Sequence, residues 1–267
     1  MTPRRYELSD FEWSIIAPLL PNKPRGVERA DDRKVLNGIY WRLRTGSPWA
    51  DIPERYGPPT TCYNRFVRWA KIGVWDRIFE AVSKAYDGDL RMIDSSSIRV
   101  HQHGANGKKR GSEKTPAAAR DVARSVCMER SRGGLTTKIH ALVDANGLPI
   151  LLKLTAGQAH DGRSADDMLE GLGEGQILLA DRGYDSDDLR ARLAGHGAWG
   201  NIKPMPGRVN VPAFSAYLYR FRNLVERFFN KLKHFRAVAT RFEKHDANYL
   251  ALVKLAAARI WMRFMSR

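Results

Sequence analysis

The sequence predicts an α/β protein in two parts. Residues 1–88 form a small all-α domain of helix-turn-helix-like order, and residues 89–267 form a domain in which a mixed sheet is flanked by helices. Three observations carry this reading. Apolar residues recur at helical spacing up to about Tyr86. After residue 89, short apolar runs alternate with helical patterns, as crossover units that extend a sheet do. Asn146-Gly147 joins two apolar runs, a strong hairpin signal.

The first helix opens with Ser9-Asp10-Phe11-Glu12, a capping box in which the serine accepts an amide proton and the glutamate reaches back. Phe11, Ile15, Ile16, Leu19 and Leu20 give its apolar face, and Pro21 stops it. Asp31 or Asp32 caps a second helix carrying Val35, Leu36, Ile39, Tyr40 and Leu43. A turn-rich connection follows Gly46. Thr60 or Thr61 then opens a third helix, ended by Gly73, and a fourth runs from Val74 to Tyr86. Helix, connection, then a helix with Tyr63, Asn64, Arg65, Arg68 and Lys71 is the order of a DNA-reading pair, or of a plain bundle with a basic face.

The second part starts with a strand from Leu90 that runs into Asp94 and continues from Ser97. Residues 104–134 are a basic connection expected to be mobile. The hairpin strands follow, then a helix near 164–171. Ile177–Ala180 is an all-apolar strand of the kind buried on both faces. A helix over 186–195, a strand over Trp199–Ile202, a long helix from Ala216 to Phe235 and a last helix over 246–264 complete the order. Three antiparallel strands followed by crossover units is the order of an RNase H-like domain.

The formal net charge is +16, from 45 basic and 29 acidic side chains. Residues 200–267 hold 14 basic and 3 acidic groups, interleaved with Tyr217, Tyr219, Phe221, Phe228, Phe229 and Phe235. That composition suits a groove for a phosphate backbone and points to nucleic acid as partner. No apolar run approaches a membrane span, and the N-terminus lacks a signal-peptide core. Two cysteines cannot build a zinc cluster or a disulfide framework.

Two strands end in an aspartate, Asp94 and Asp181, 87 residues apart. In open α/β sheets reactive groups gather beyond strand ends, and two neighbouring anions need a cation between them. Magnesium or manganese suits such oxygen ligands. On the helix after Ala216, Arg222, Glu226 and Lys233 share one face beside the apolar face of Val225, Phe228, Leu232 and Phe235. An acid flanked by cations suits a metal next to a phosphate; an exposed Arg–Glu pair at i,i+4 is the plain alternative. His101, His103, His140 and His160 lack zinc spacing. Asp144 and Asp161 read as turn or cap residues, and Trp41, Trp69 and Trp199 as core.

These phrases resemble the DDE transposases of bacterial insertion sequences, in the IS-five group. Leu8–Pro21, Gly46-Ser-Pro-Trp-Ala-Asp-Ile-Pro53 and Asp94-Ser-Ser-Ser-Ile-Arg-Val-His are similar to that group's segments. So are Arg132-Gly-Gly-Leu-Thr-Thr-Lys-Ile-His, Gly157-Gln-Ala-His-Asp-Gly-Arg and Asp181-Arg-Gly-Tyr. Tyr219, Arg222, Glu226 and Lys233 fit the spacing Tyr-x2-Arg-x3-Glu-x6-Lys. The resemblance implies two divalent metal ions, Mg2+ or Mn2+, on Asp94, Asp181 and Glu226. It also implies metal-assisted phosphodiester hydrolysis and strand transfer. Tyr219, Arg222 and Lys233 would contact phosphates at the transposon end. Arg65 and Arg68 are the expected DNA contacts of the N-terminal domain. The implied partners are double-stranded DNA, at transposon ends and target, and a second copy of the chain on that DNA. The implied location is the bacterial cytoplasm, at the nucleoid. The rival is an inactive regulator descended from such an enzyme; the presence of all three acids in their motifs argues against it.

Overall fold

The computed structural model describes residues 5–21, 30–86, 88–105, 127–131, 134–164 and 166–266. Contacts divide the chain into two compact units. A helical unit draws on Met1–Ser83, His101–Ser125 and Leu232–Arg267; a sheet unit draws on Lys84–Val100 and Val126–Lys231.

In the helical unit, α1 spans Asp10–Ile16, α2 Asp32–Thr45, α3 Pro59–Lys71 and α4 Val74–Ser83. The short α5 spans Gln102–Ala105. The capping box at Ser9 and Glu12 forms, and Asp31 caps α2 by accepting from the amides of Arg33 and Lys34. Pro59 starts α3 one residue ahead of the expected threonines, because proline lacks only an amide that the first turn leaves unpaired anyway. Cys62, Phe66 and Trp69 of α3 are buried, with Trp75 of α4 stacked on Phe66 and donating Nε1–H to its carbonyl oxygen at 3.1 Å. Outside the core, α3 presents Tyr63, Asn64, Arg68 and Lys71.

The last helices belong to this same unit: α11 over Arg236–Ala239 packs on α2, and α12 over Asp246–Met265 packs on α4, α3 and α1. The 20-residue α12 is buried along most of its length, with Leu252, Leu255 and Met262 at 0% exposure. No helix among the described residues is long and apolar enough to cross a membrane. Arg259 clasps the two ends of the chain. Its guanidinium donates to Glu12 Oε1 at 3.1 Å and to the carbonyl oxygens of Tyr6 and Glu7, both at 2.6 Å, and lies 4.5 Å over the Tyr40 ring.

The sheet unit holds β1 (Leu90–Val100), β2 (Glu129–Ser131), β3 (Gly134–Val143), β4 (Pro149–Ala156), β5 (Ile177–Ala180) and β6 (Trp199–Ile202). Strands β1, β3 and β4 are antiparallel; β5 and β6 join β1 in parallel, giving the order β4-β3-β1-β5-β6 with β2 also on β3. This is the mixed sheet that the element order predicts. Ile93, Leu142, Leu178, Ala180 and Ile202 form its core with Leu189 and Leu193 of α8 (Asp187–Gly195). Trp199, expected in the core, is 37% exposed, because it opens the edge strand. Of the helix expected near 164–171, the described residues give two stretches, α6 (Asp161–Ser164) and α7 (Asp166–Leu169), on either side of residue 165, which lies outside the described residues.

The expected long helix from Ala216 is also subdivided. It comprises α9 (Ala216–Tyr219), a tighter 3-10 turn over Arg220–Arg222, and α10 (Asn223–Lys233). Val225, Phe228 and Leu232 bury the apolar face of α10 as the spacing predicts; Phe229 is buried as well, and Phe235 is buried just past the end of the helix. The hairpin turn holds the start of this helix. Gly147 sits at φ +72, and a Cβ there would stand 2.9 Å from the carbonyl oxygen of Leu224. Only glycine admits both the conformation and the approach. The basic stretch 104–134 lies largely outside the described residues; Glu129–Ser131 within it forms β2.

Candidate active site

Asp94 lies within β1 and Asp181 just past the end of β5. The strands pair in parallel with Leu90 opposite Ile177 and Met92 opposite Leu179, an offset of 87 residues. The two acids have that same separation, so continuing the register sets Asp94 beside Asp181, with neighbouring strands about 4.8 Å apart. The carboxylate of Asp181 accepts from the Gly183 amide at 2.8 Å and so caps the 3-10 turn over Arg182–Tyr184. A Cβ on Gly183 would stand 3.1 Å from Asp181 Oδ1, a tight contact that the carboxylate could meet only by giving way a few tenths of an ångström.

Arg222 brings in the third acid. Its Nη1 donates to Asp94 Oδ2 at 2.9 Å and its Nη2 to Glu226 Oε1 at 2.5 Å. One guanidinium thus joins carboxylates 132 residues apart in the chain. Its fork occupies the place where the crowded anions call for positive charge. Burial pushes the Asp94 carboxyl above its ordinary value of 3.8; the Ser95 amide and Arg222 oppose this, and Asp181 adds to it. Arg222 is held in its charged form against the cost of burial, first by Asp94 and further by Tyr219 and Glu226. The Tyr219 ring lies between two cations, 5.7 Å from the Arg222 guanidinium carbon and 5.5 Å from Lys203 Nζ.

A fourth carboxylate belongs here that the sequence reading took for a turn or cap residue. Asp161 does open α6, but its Oδ1 also accepts from Ser95 Oγ at 2.8 Å and from Lys138 Nζ at 2.9 Å. Ser95 follows Asp94 directly and donates its amide to Asp94 Oδ1. Lys138, Asp161, Ser95 and Asp94 therefore form a continuous polar chain. The Tyr184 hydroxyl is buried, has no hydrogen-bond partner among the described residues, and is pushed up by burial and by Asp161, Asp94 and Asp181. The phenol is close enough to these three acids to feel their charge, so negative potential accumulates at this end of β1 and β5. Among the described residues, no three His, Cys, Asp or Glu side chains converge into a ready metal-binding group; Arg222 stands between Asp94 and Glu226.

The remaining expected residues lie elsewhere. Lys233 is exposed at the last residue of α10, two turns or about 10 Å beyond Glu226. Arg68 is exposed on α3. Arg65, expected at the DNA, is 8% exposed, ion-paired to Asp32 and packed 5.3 Å over the Trp69 ring. Its charge ties α3 to α2. His140 is buried, bonded to Thr155 Oγ1 at 2.7 Å, and burial pulls it down to about 4, so it stays neutral.

Residues 8–79 match a family described as a putative transposase of the IS4/5 family, and residues 85–261 match one described as a transposase DDE domain. A putative transposase for insertion sequence element IS6501 from Brucella ovis is 45% identical over 130 residues, 48% of this chain and 100% of that one. A putative transposase for insertion sequence element IS402 from Burkholderia cepacia is 29% identical over 150 residues, 52% of this chain and 68% of that one. Among solved structures, a piggyBac transposase synaptic complex with hairpin DNA matches with a TM-score of 0.52 at 10% identity, over 93% of this chain and 69% of that one. That last likeness is one of fold.

Proposed function

From the premise that this chain belongs to the DDE-domain transposases of insertion sequences, with their RNase H-like fold, we propose how its own residues carry out the reaction. Asp94, Asp181 and Glu226 would hold two divalent ions, Mg2+ or Mn2+. Such ions, when bound, supply an activated oxygen nucleophile and neutralise charge at the attacked phosphate. The observation that carries the assignment is the Arg222 bridge, which puts Asp94 and Glu226 on the two arms of one cation. The negative potential that Asp161, Asp94 and Asp181 set at Tyr184 supports it.

The division of labour follows from charge. Arg222, Lys203 and Lys233 are positive and flank Tyr219 or Glu226 in space or along the helix. Once DNA arrives, Arg222 exchanges its two carboxylates for phosphate oxygens, with Tyr219 as the platform under its guanidinium. That exchange releases Glu226 and Asp94 to their ligand role. Ser95, Asp161 and Lys138 keep Asp94 oriented through the change. Arg68 and its neighbours on α3 give the helical unit a basic face for the terminal repeats. The DNA is double-stranded, at the element's ends and at the target. Two copies of the chain pair on it, at the bacterial nucleoid.

Glu226→Gln tests this reading. The change keeps shape and removes charge. Cleavage of terminal-repeat DNA in magnesium should be abolished, while binding in chelator is kept or tightened as repulsion from the phosphates disappears. Arg222→Ala and Lys233→Ala should each weaken binding and lower its salt slope by about one counterion. Undiminished cleavage by Glu226→Gln would remove this residue from the site.

A further inference from the structure

The helical unit encloses a cavity of about 540 Å³ that none of the chemistry above uses. Arg42 from α2, Trp49 from the turn after it, Tyr63 from α3 and His101 and His103 around the start of α5 line it, with Lys244 ahead of α12. Arg42 is the central group. It is 3% exposed, its Nη2 rests 3.2 Å from Glu243 Oε1, and its guanidinium lies 4.8 Å over the Trp49 ring. Among the described residues its Nε and Nη1 have no hydrogen-bond partner, and neither has Nε1 of Trp49.

Three buried donors at one cavity therefore lack an acceptor. Arginine and tryptophan nitrogens donate only, so no change of tautomer or rotamer among them can satisfy the set. Leaving each of them unpaired costs about 1–3 kcal/mol. The group that relieves this must bring several acceptor oxygens. It must also be anionic, because a single carboxylate, Glu243, faces Arg42 and Lys244 with donor-capable imidazoles beside them. A forked guanidinium with Nε–H and Nη1–H unpaired matches tetrahedral oxyanions, and these buried atoms reach a ligand once the side chain shifts toward the cavity. The volume lies in the range of small-ligand sites.

We propose that this cavity binds a phosphoryl group, with Arg42 as its principal donor. The phosphoryl group comes either from a free phosphate monoester or from the backbone of DNA; the second source rests on the transposase reading. The test uses the full chain in chelator. Inorganic phosphate and dAMP are titrated by calorimetry, and duplex DNA is titrated across a salt series. The variants are R42M, R42K and the double change H103A with K244A.

A free monoester is the source if dAMP or phosphate binds the parent chain, R42M weakens it at least tenfold and R42K recovers part of the loss. The DNA backbone is the source if neither small anion binds but R42M weakens duplex binding about tenfold and lowers the log–log salt slope by about one. The proposal is overturned if all three titrations of R42M and of the double variant match the parent. Should R42M lose its cooperative melting, the double variant decides in the same way. Terminal-repeat cleavage by the parent chain separates failure of this pocket from failure of the transposase reading.

Discussion

Arg222→Ala, in metal-free buffer, isolates the electrostatics of the site. In the parent chain the guanidinium side chain is 15% exposed and touches Asp94, 18% exposed, and Glu226, 55% exposed. A charge-assisted hydrogen bond in such partial burial contributes about 1.5–3 kcal/mol, and an exposed i,i+4 pair only about 0.3–0.5 kcal/mol. Removing Arg222 should therefore cost about 2 kcal/mol at pH 7, nearly all of it through Asp94.

The pH dependence has a definite sign. Burial already raises the folded-state Asp94 carboxyl above its ordinary 3.8, with Asp181 adding to it, while Arg222 opposes the rise. A raised acid keeps its proton in the folded state after the unfolded chain has lost it, so stability falls as pH climbs from 3.8 through the folded-state value. Deleting Arg222 widens that interval. The cost of the mutation should be under about 1 kcal/mol at pH 4 and grow to its full size by pH 7. In an Asp94→Asn background it should shrink to about 0.5 kcal/mol, the Glu226 share. Urea unfolding midpoints between pH 4 and 7 provide the measurement. An equal loss at both ends of the range, or an undiminished loss in the Asp94→Asn background, would refute the reasoning.

Three further changes probe the frame of the site and of the helical unit. Gly183→Ala sets a Cβ 3.1 Å from Asp181 Oδ1 and requires that carboxylate to shift by a few tenths of an ångström; end cleavage should fall about tenfold with little change in melting temperature, and unaltered cleavage would count against that cradle. Asp161→Asn leaves the Lys138 ammonium, 12% exposed, without its anion. It should cost about 1–2 kcal/mol in urea, with part of the loss recovered by adding Lys138→Met; a strictly additive double variant would contradict this. Glu12→Ala strands Arg259, 2% exposed, and should cost about 3 kcal/mol, against which a loss below about 1 kcal/mol would show that the clasp is dispensable.

Local signals in the sequence were sound guides to structure. The capping box at Ser9 and the hairpin at Asn146-Gly147 depend on a few adjacent residues, and both appear where expected. The separation of the two aspartates carries more than local information, because it equals the register offset between β1 and β5. Asp161 opens α6 as its sequence context predicts, but its tie to the acids is not legible there, because its partners, Ser95 and Lys138, stand 66 and 23 residues away and no short pattern announces them. Arg65 was legible but overlooked. Cys62, Phe66 and Trp69 set the buried phase of α3, and a residue three after Cys62 falls on that same side. Arg42 and Arg259 lie in apolar helical runs, where a buried cation is indistinguishable from an exposed one until its distant partner is known.

The clasp between Arg259 and Glu12 also sets an order of events at the ribosome. Helices α1 to α4 emerge about 160 residues before the α12 that covers them, a delay of roughly 10–30 s at ordinary rates of synthesis. For that interval the first domain to be made is the last to close. A chain cut short before Asp246 would carry the helices with the basic face but not the one that buries their core. Such a fragment would leave exposed the apolar surface that α12 buries in the full chain.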